Sequence, residues 1–320
     1  MKSNNRRVLA AAFFLAVIVI TIIISGKTIY IGRGTIPGGG KMSAFEEDEP
    51  RPLEAPFYPT LDNVSRVVTM EDKLKYLYSV EDTAYVLPEQ LDIGGFLGLN
   101  LSSELTGSEP KILIFHTHSM ESFIDSREGE ADDTVVGLGS LLANILASYY
   151  HIPVVHDVGN YDTVNGKESR AKSYERMSRG VGGILMKYPS IEITIDLHRD
   201  GVPDNVHLVQ DINGVPTARM MFVNGITCLN DKGGPKAMPD LPNPYLYENL
   251  SLSLQLQLAA NELYPGIMRH IYIKPYRYSL YFMPKSMLVE VGANTNTVAE
   301  AKNAMWPLAQ ILTAVLENKD

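Results

Sequence analysis

Two hydrophobic periods alternate along residues 110–320 of this 320-residue chain. Short apolar runs rich in β-branched residues are typical of buried strands, whereas apolar positions three and four apart are typical of helices. The runs predict strands at 111–115, 152–157, 191–197, 218–225 and 286–292, and the helical spacing predicts helices at 134–150, 168–188, 245–264 and 297–317. Strands that alternate with helices indicate an α/β fold with a mostly parallel sheet flanked by helices.

The N-terminal pattern is different. Residues 8–25 form an uncharged apolar run about long enough to cross the hydrocarbon core of a membrane. Lys2, Arg6 and Arg7 precede it, so we expect a single-pass transmembrane helix with a cytoplasmic N-terminus and an extracytoplasmic main domain. A cleaved signal peptide is the alternative, but no clear small-residue cleavage site follows the run. We therefore predict a membrane anchor at residues 1–28.

Two segments separate this anchor from the α/β pattern. Residues 29–59 are rich in glycine, proline and acidic residues, which predicts a flexible linker. Residues 60–108 begin with a helix-like stretch and continue with a glycine-rich one, so we interpret them as a short helical preface. The main domain is expected to cover residues 109–320.

Composition excludes several classes of function. The net charge of −9 argues against a nucleic-acid partner, which would require a basic surface. Cys228 is the only cysteine, which excludes an internal disulfide and a cluster of metal-binding thiolates. A metal site in this protein would therefore use histidine and carboxylate ligands.

Such residues follow three of the predicted strands. The carboxyl ends of parallel strands gather at one edge of a sheet, where active sites of α/β proteins lie. The candidates at these ends are His116, His118 and Glu121 in the first group, Asp196, His198, Arg199 and Asp200 in the second, and Glu290 in the third.

This set contains the groups of an open zinc site. Catalytic zinc usually takes three histidine or carboxylate ligands and keeps a fourth position for water. A further carboxylate is then needed to accept the proton of that water, and Glu290, near the end of an apolar strand, is the natural candidate.

Each residue also has a simpler interpretation. A histidine at a strand end is often an ordinary polar residue, and Glu290 could be a structural acid paired with Arg199 or Lys285. Asp196 could orient His198 or bond the backbone. Arg199 could anchor a substrate carboxylate or brace its loop through Asp200. The aromatic stretch at 272–284 could be a hydrophobic wall or a surface for a sugar–peptide chain.

Five motifs carry a family resemblance. After the apolar segment and linker, the chain resembles the stage II sporulation protein P family of endospore-forming bacteria in its motifs ILIFHTHSMESF, SRAKSYERM, IEITIDLHRDG, ARMMFVNG and SMLVEVGANTNT, in this order. The resemblance implies a membrane-anchored hydrolase with the fold of zinc-dependent N-acetylmuramoyl-L-alanine amidases. Such an enzyme cuts peptidoglycan between the lactyl group of muramic acid and the stem peptide, with endopeptidase action on crosslinked stems as a further activity. It also implies a role in septal wall thinning and engulfment, together with the stage II sporulation proteins D and M.

The resemblance also implies roles for residues. It makes one histidine of the first motif, Glu121 and His198 the Zn²⁺ ligands, and it makes Glu290 the catalytic acid and base. It leaves open which histidine of the first motif holds the metal, although it favours His118, with His116 then supporting a ligand or contacting substrate. Asp196 and Arg199 would have similar supporting roles. The chain departs from the common family pattern at two places, the SM of its first motif and the VGANTNT that follows Glu290. Both departures affect the expected shape of the cleft.

Two other functions compete with hydrolysis of an amide. A catalytically inert peptidoglycan-binding module would not need Glu290. A metal-dependent phosphoesterase could also use histidine and aspartate at strand ends, but a two-metal centre would usually present more carboxylates.

Overall fold

The computed structural model describes residues 20–24, 27–31 and 56–317. The chain divides into two compact units, Met1–Leu53 and Glu54–Asp320. In the first unit, strand β1 (Ile20–Ile24) pairs with β2 (Lys27–Ile31) in an antiparallel ribbon.

The predicted membrane anchor and linker lie mainly outside the described residues. Within the apolar run at 8–25, the described residues 20–24 form a strand and not a helix, in keeping with their β-branched sequence ITIII. Among the residues that the structure describes, no helix combines the length and the apolar composition needed to cross a membrane. Of the predicted linker, residues 32–55 are not described.

Within the described residues 56–317, the second unit contains thirteen strands and seven α-helices. The strands are β3 (Tyr78–Val80), β4 (Ile112–Phe115), β5 (Val154–His156), β6 (Thr163–Val164), β7 (Lys167–Glu168), β8 (Ile193–Asp200), β9 (Val209–Ile212), β10 (Val215–Ala218), β11 (Met220–Gly225), β12 (Cys228–Asp231), β13 (Gly234–Ala237), β14 (Ile271–Lys274) and β15 (Ser286–Ala293). The helices are α1 (Met70–Tyr76), α2 (Ile93–Gly98), α3 (Val135–Ser148), α4 (Ser173–Lys187), α5 (Leu246–Leu263), α6 (Val298–Asn303) and α7 (Met305–Leu316).

Seven of these strands form one sheet in the order β3-β14-β11-β15-β8-β4-β5. All neighbouring pairs are parallel except β11 and β15, which are antiparallel. The prediction of a mostly parallel sheet flanked by helices is confirmed. Strands β4 and β5 are parallel neighbours joined by α3, as the pattern of their segment indicates.

The helices cover both faces because each buried strand is apolar on both sides. Along β4, Ile112 and Ile114 join the core cluster that contains residues of α3, α5 and α7. Leu113 and Phe115 point the other way and pack with α4. We refer to this second side as the α4 face of the sheet.

Several elements differ from the predictions. The helix expected at 297–317 is two helices, because Pro307 lacks an N–H and its ring excludes a continuous helix through the carbonyl of Asn303. The helix expected at 168–188 begins at Ser173, after a short hairpin of β6 and β7.

The sheet also recruits two strands that the pattern did not predict. Strand β3 comes from the segment interpreted as a helical preface, and it pairs with β14, which begins the aromatic stretch. Both are only three or four residues long, so neither carries enough alternation to be distinguished from a loop. The preface thus contains helices α1 and α2 and also one edge strand of the sheet.

Candidate active site

Two neighbouring parallel strands, β8 and β15, carry part of the candidate site. Because side chains alternate along a strand, Asp196 and His198 of β8 lie on one face. Leu288 and Glu290 of β15 lie on the same α4 face, and the register places Glu290 directly beside His198. The sheet itself therefore brings together the second and third groups of candidate residues.

The loop after β4 adds the first group. It passes over the ends of these strands and carries His118 and Glu121 to a cavity of about 250 Å³ that His198 and Glu290 also line. The Glu121 N–H donates to the His118 carbonyl at 3.2 Å, and the Val135 N–H donates to the Glu121 carbonyl at 3.0 Å. The start of α3 thus fixes the backbone that presents Glu121.

His198 lies between two carboxylates. Its Nδ1 is 3.1 Å from Glu121 Oε2, and its Nε2 is 2.8 Å from Asp196 Oδ1. The second approach is a charge contact without hydrogen-bond geometry. Burial disfavours the charged ring, but the two carboxylates raise the pKa of His198 well above its ordinary value. In the metal-free protein His198 is therefore protonated, and the two carboxylates stabilise its positive charge.

Glu121 is held as an anion. Burial alone would favour its neutral form, but His198 and the N–H of Arg199, which donates to Oε2 at 3.1 Å, lower its pKa. Arg170 adds a guanidinium nitrogen 3.4 Å from Oε1. A charged carboxylate in a buried cavity is a strong candidate for a metal ligand.

Asp196 combines both functions considered for it. Its Oδ1 accepts a hydrogen bond from the Thr117 N–H at 2.9 Å, and its Oδ2 accepts one from the Thr117 hydroxyl at 2.7 Å. The same carboxylate lies against His198. It therefore ties the loop after β4 to β8 and fixes one edge of the imidazole.

Glu290 is in a different environment from the other carboxylates. Its Oε2 is buried and has no hydrogen-bond partner among the described residues. Burial raises the pKa of Glu290 to about 8, although His198 opposes this effect. Lys285, one of the partners considered for it, donates instead to the carbonyl of Ser102 at 3.1 Å. An unpaired carboxyl at the floor of a polar cavity is unusual for a structural acid.

His116 lies away from this cavity. Its ring is fully buried, donates from Nδ1 to the Leu197 carbonyl at 2.9 Å, and contacts His156 with 2.9 Å between the two Nε2 atoms. Both rings lie beside Gly139 of α3, where a side-chain carbon would be within 2.6 Å of each. Burial lowers the pKa of His116 to about 3, so the ring is neutral. Of the two histidines in the first motif, only His118 lines the cavity.

Arg199 points along the loop. Its Nε donates to the Ser122 carbonyl at 2.9 Å and its Nη1 to the Asp200 carbonyl at 3.3 Å. The Asp200 carboxylate is paired instead with Arg269, at 2.6 Å. The side chain therefore braces the segment that carries Glu121, through carbonyl groups and not through the Asp200 carboxylate.

This geometry predicts the effect of Arg199→Ala. The variant loses both side-chain hydrogen bonds and leaves the Ser122 carbonyl without its donor, so we expect the free energy of unfolding to fall by about 1–3 kcal/mol in urea titrations. Arg199→Lys should recover only part of this loss, because lysine lacks the forked donors. An unchanged free energy of unfolding combined with a higher KM for substrate would instead identify Arg199 as a substrate anchor.

Four residues at the site were not identified from the sequence. Arg170 and Tyr174 come from the polar stretch before and within α4, Lys274 ends β14, and Asp162 lies 4.0 Å from His118 Nδ1. The Tyr174 ring is edge-on to His118 with 5.8 Å between ring centroids. Arg170 and Tyr174 stand within the motif SRAKSYERM, which is the one signal in the sequence that could have indicated them. Their place at the site arises from an element that the fold packs over the strand ends.

The donor set fits zinc in its chemistry. His118 Nδ1 is buried without a hydrogen-bond partner. The 3.1 Å between His198 Nδ1 and Glu121 Oε2 is close to the roughly 3.3 Å between ligands that share a tetrahedral zinc ion. Within residues 56–317, however, no three histidine, cysteine or acidic side chains are already placed to hold a metal ion. Binding would require the three side chains to move closer together.

The fold and the site together define an α/β protein with a buried histidine–carboxylate cluster at the carboxyl ends of its parallel strands. The family model described as Stage II sporulation protein P matches residues 51–313. The chain belongs to this family, and the resemblance found in the sequence is confirmed.

One curated relative and several solved structures are similar to the chain. The Stage II sporulation protein P of Bacillus subtilis (strain 168) is 23% identical over 224 residues, which cover 66% of this chain and 52% of that protein. The match thus spans about half the length of the relative.

The structures include two amidases. The CwlD amidase from Clostridioides difficile, in complex with the GerS lipoprotein, is 13% identical with a TM-score of 0.39 and covers 64% of this chain and 98% of that chain. The N-acetylmuramyl-L-alanine amidase Ami1 from Mycobacterium smegmatis is 12% identical with a TM-score of 0.39. The match covers 67% of this chain and 98% of that chain. These similarities are too distant to assign a function.

Proposed function

We propose that this protein is a peptidoglycan hydrolase, a zinc-dependent N-acetylmuramoyl-L-alanine amidase that cuts the amide between the lactyl group of muramic acid and the L-alanine of the stem peptide. Membership of the family supports the substrate class. The observation that carries the reaction type is the position of Glu290, half-buried with its Oε2 enclosed and without a hydrogen-bond partner, beside His198 in one cross-strand pair.

His118, Glu121 and His198 would hold the zinc ion. When bound, zinc acts as a Lewis acid that acidifies water and polarises a carbonyl group. Asp196 keeps the His198 ring in place, and Arg170 and the Arg199 N–H maintain the charge and orientation of Glu121. The remaining chemistry is transfer of protons by the chain.

Glu290 would carry out that transfer. As a base it accepts a proton at Oε2 from the attacking water, whose oxygen forms a bond to the lactyl carbonyl carbon. It then gives the proton to the alanine nitrogen as the carbon–nitrogen bond breaks. The products are a lactyl carboxylate and a stem peptide with a free amine. A cation bound beside Glu290 favours its ionised form, which counteracts the effect of burial on its pKa.

Digestion of purified peptidoglycan tests this proposal. The full-length chain in detergent with added zinc should release stem peptides whose N-terminal alanine amine is free, as read by mass spectrometry after amine labelling. A chain that only binds peptidoglycan would release none. Hydrolysis of a phosphate ester in place of the amide would support the phosphoesterase instead, and release of crosslink fragments would reveal the endopeptidase activity.

We also propose the cellular setting that family membership supports. The protein would act on the septal wall from the cell membrane during engulfment, with its main domain outside the cytoplasm and with the stage II sporulation proteins D and M as partners. Protease treatment of intact protoplasts should degrade a tag placed at the C-terminus, and the two partners should co-purify with the solubilised protein. A protected tag would contradict the proposed orientation.

A further inference from the structure

A second, larger depression lies next to the catalytic cavity. We call it the tyrosine groove; it measures about 540 Å³ and is lined mainly by Tyr174 of α4 and by Tyr276, Tyr278 and Tyr281 of the segment after β14. Tyr276 is 46% exposed. The proposed chemistry uses none of the rings of this segment, so their concentration beside the site calls for another explanation.

The groove is continuous with the catalytic cavity. Tyr174 and Tyr278 line both. Successive rings stand edge to face, with centroids 5.8 Å apart from His118 to Tyr174, 5.7 Å from Tyr174 to Tyr278 and 6.4 Å from Tyr278 to Tyr276. A row of aromatic rings therefore leads from a candidate metal ligand to the protein surface.

The chemistry of the groove suits a neutral ligand with apolar faces. Glu175 and Arg179 of α4 contribute one charge of each sign to the lining, and the Arg277 guanidinium is engaged by the protein, 3.8 Å from the centre of the Tyr281 ring and donating to the Pro242 carbonyl. The ring that remains most available to a ligand is that of Tyr276, which is 46% exposed. Sugar rings present C–H faces and hydroxyls that match such a surface.

A cavity of different character adjoins the other side of the site. It measures about 450 Å³, shares Gly201 with the catalytic cavity, and is lined by Arg219, Arg269 and His270 with Asp200. This lining is polar and carries an excess of positive charge. A stem peptide with free carboxylates is better matched to this cavity than to the tyrosine groove.

From this asymmetry we infer that the tyrosine groove is the subsite for the glycan strand, with the sugars on the lactyl side of the cleaved amide stacked on Tyr276 and its neighbours. The inference rests on the proposed function, because it assigns one half of the same substrate. It fixes the direction of the substrate across the sheet, with the sugars over the segment after β14 and the stem peptide towards Gly201.

Binding of peptide-free glycan strands tests the subsite without any hydrolysis. Glycan strands stripped of stem peptides should bind full-length protein carrying Glu290→Gln, measured by calorimetry. Adding Tyr276→Ala should weaken this binding by about five- to tenfold, the effect of losing one stacked ring. In otherwise wild-type protein, Tyr276→Ala should raise KM for a muropeptide with four sugars by a similar factor, while kcat stays within about twofold. The rise in KM should be smaller for a muropeptide with one sugar.

Tyr149→Ala is the matched control. Tyr149 is 63% exposed at the end of α3 and contacts Tyr150 and Trp306, away from the groove, so its loss should leave glycan binding and KM unchanged. Equal glycan binding with and without Tyr276→Ala would overturn the inference, as would a selective loss of binding for free stem peptide. If the wild type hydrolyses peptidoglycan but these variants do not differ, the subsite fails and the proposed function stands. If the wild type hydrolyses none, the proposed function fails independently of the binding result.

Discussion

Glu290→Gln is expected to abolish hydrolysis of peptidoglycan and to stabilise the metal-free protein at alkaline pH. Glutamine has nearly the same shape but cannot accept the proton of water, so release of stem peptides should fall by at least about 100-fold. The same change removes a carboxyl group whose burial is unfavourable once it is ionised. Loss of activity with a gain in stability would be the signature of a functional residue kept at a cost to folding.

The pH dependence of the stability gain follows from the direction of the pKa shift. Burial raises the pKa of Glu290 from 4.5 to about 8, so between these values the unfolded chain has lost a proton that the folded chain retains. The contribution of Glu290 to the free energy of unfolding of the wild type is fully present below pH 4.5, and it is lost as the pH rises to 8. The shift corresponds to roughly 5 kcal/mol, and the difference between variant and wild type should approach that size above pH 8 and vanish near pH 4.

Urea unfolding in the presence of a chelator at pH 4, 6 and 9 measures this difference. Glu300→Gln is the control of opposite sign. Burial opposes its charge, but His207 and the Thr297 N–H together lower the pKa of Glu300. Its ionised form therefore stabilises the fold, and its replacement should destabilise the protein at neutral pH. A Glu290→Gln variant that is less stable than wild type at pH 9 would show that Glu290 has a structural partner.

His118→Ala and His116→Gln are expected to separate the two histidines of the first motif. His118 lines the cavity with Glu121 and His198, so its removal should reduce the bound zinc from near one ion per chain to near zero. His116 lies beside α3 and donates to the Leu197 carbonyl, so glutamine, which keeps a donor, should leave the metal content near one. Elemental analysis of the purified full-length variants after dialysis measures both values.

Circular dichroism should confirm that both variants are folded, since His116 is fully buried. Zinc retained by His118→Ala and lost by His116→Gln would reverse the assignment. If both variants keep their zinc, neither histidine is a ligand. If both lose zinc while remaining folded, His116 supports the site through Leu197 and His198. Wild type treated with chelator should lose activity and regain it with zinc, which shows that the metal measured is the one used.

The amino-acid sequence by itself determined most of the elements of the sheet and the chemistry of the candidate site. Hydrophobic period is a local property, so runs such as 111–115 and 191–197 specify buried strands wherever they lie in the fold. The same alternation places Asp196 and His198 on one face of a strand. With only one cysteine, the sequence also limits the ligands of any metal site to histidine and carboxylate groups.

Only the tertiary structure decided which of these residues meet. His116 and His118 would share a face if their strand continued, but β4 ends at Phe115, and the chain then turns one ring under α3 and the other into the cavity. The pairing of Glu290 with His198 depends on the register of two strands about ninety residues apart in sequence, and the tyrosine groove depends on the packing of α4 beside the segment after β14. Such contacts are set by the packing of the whole core, which no local pattern of residues encodes.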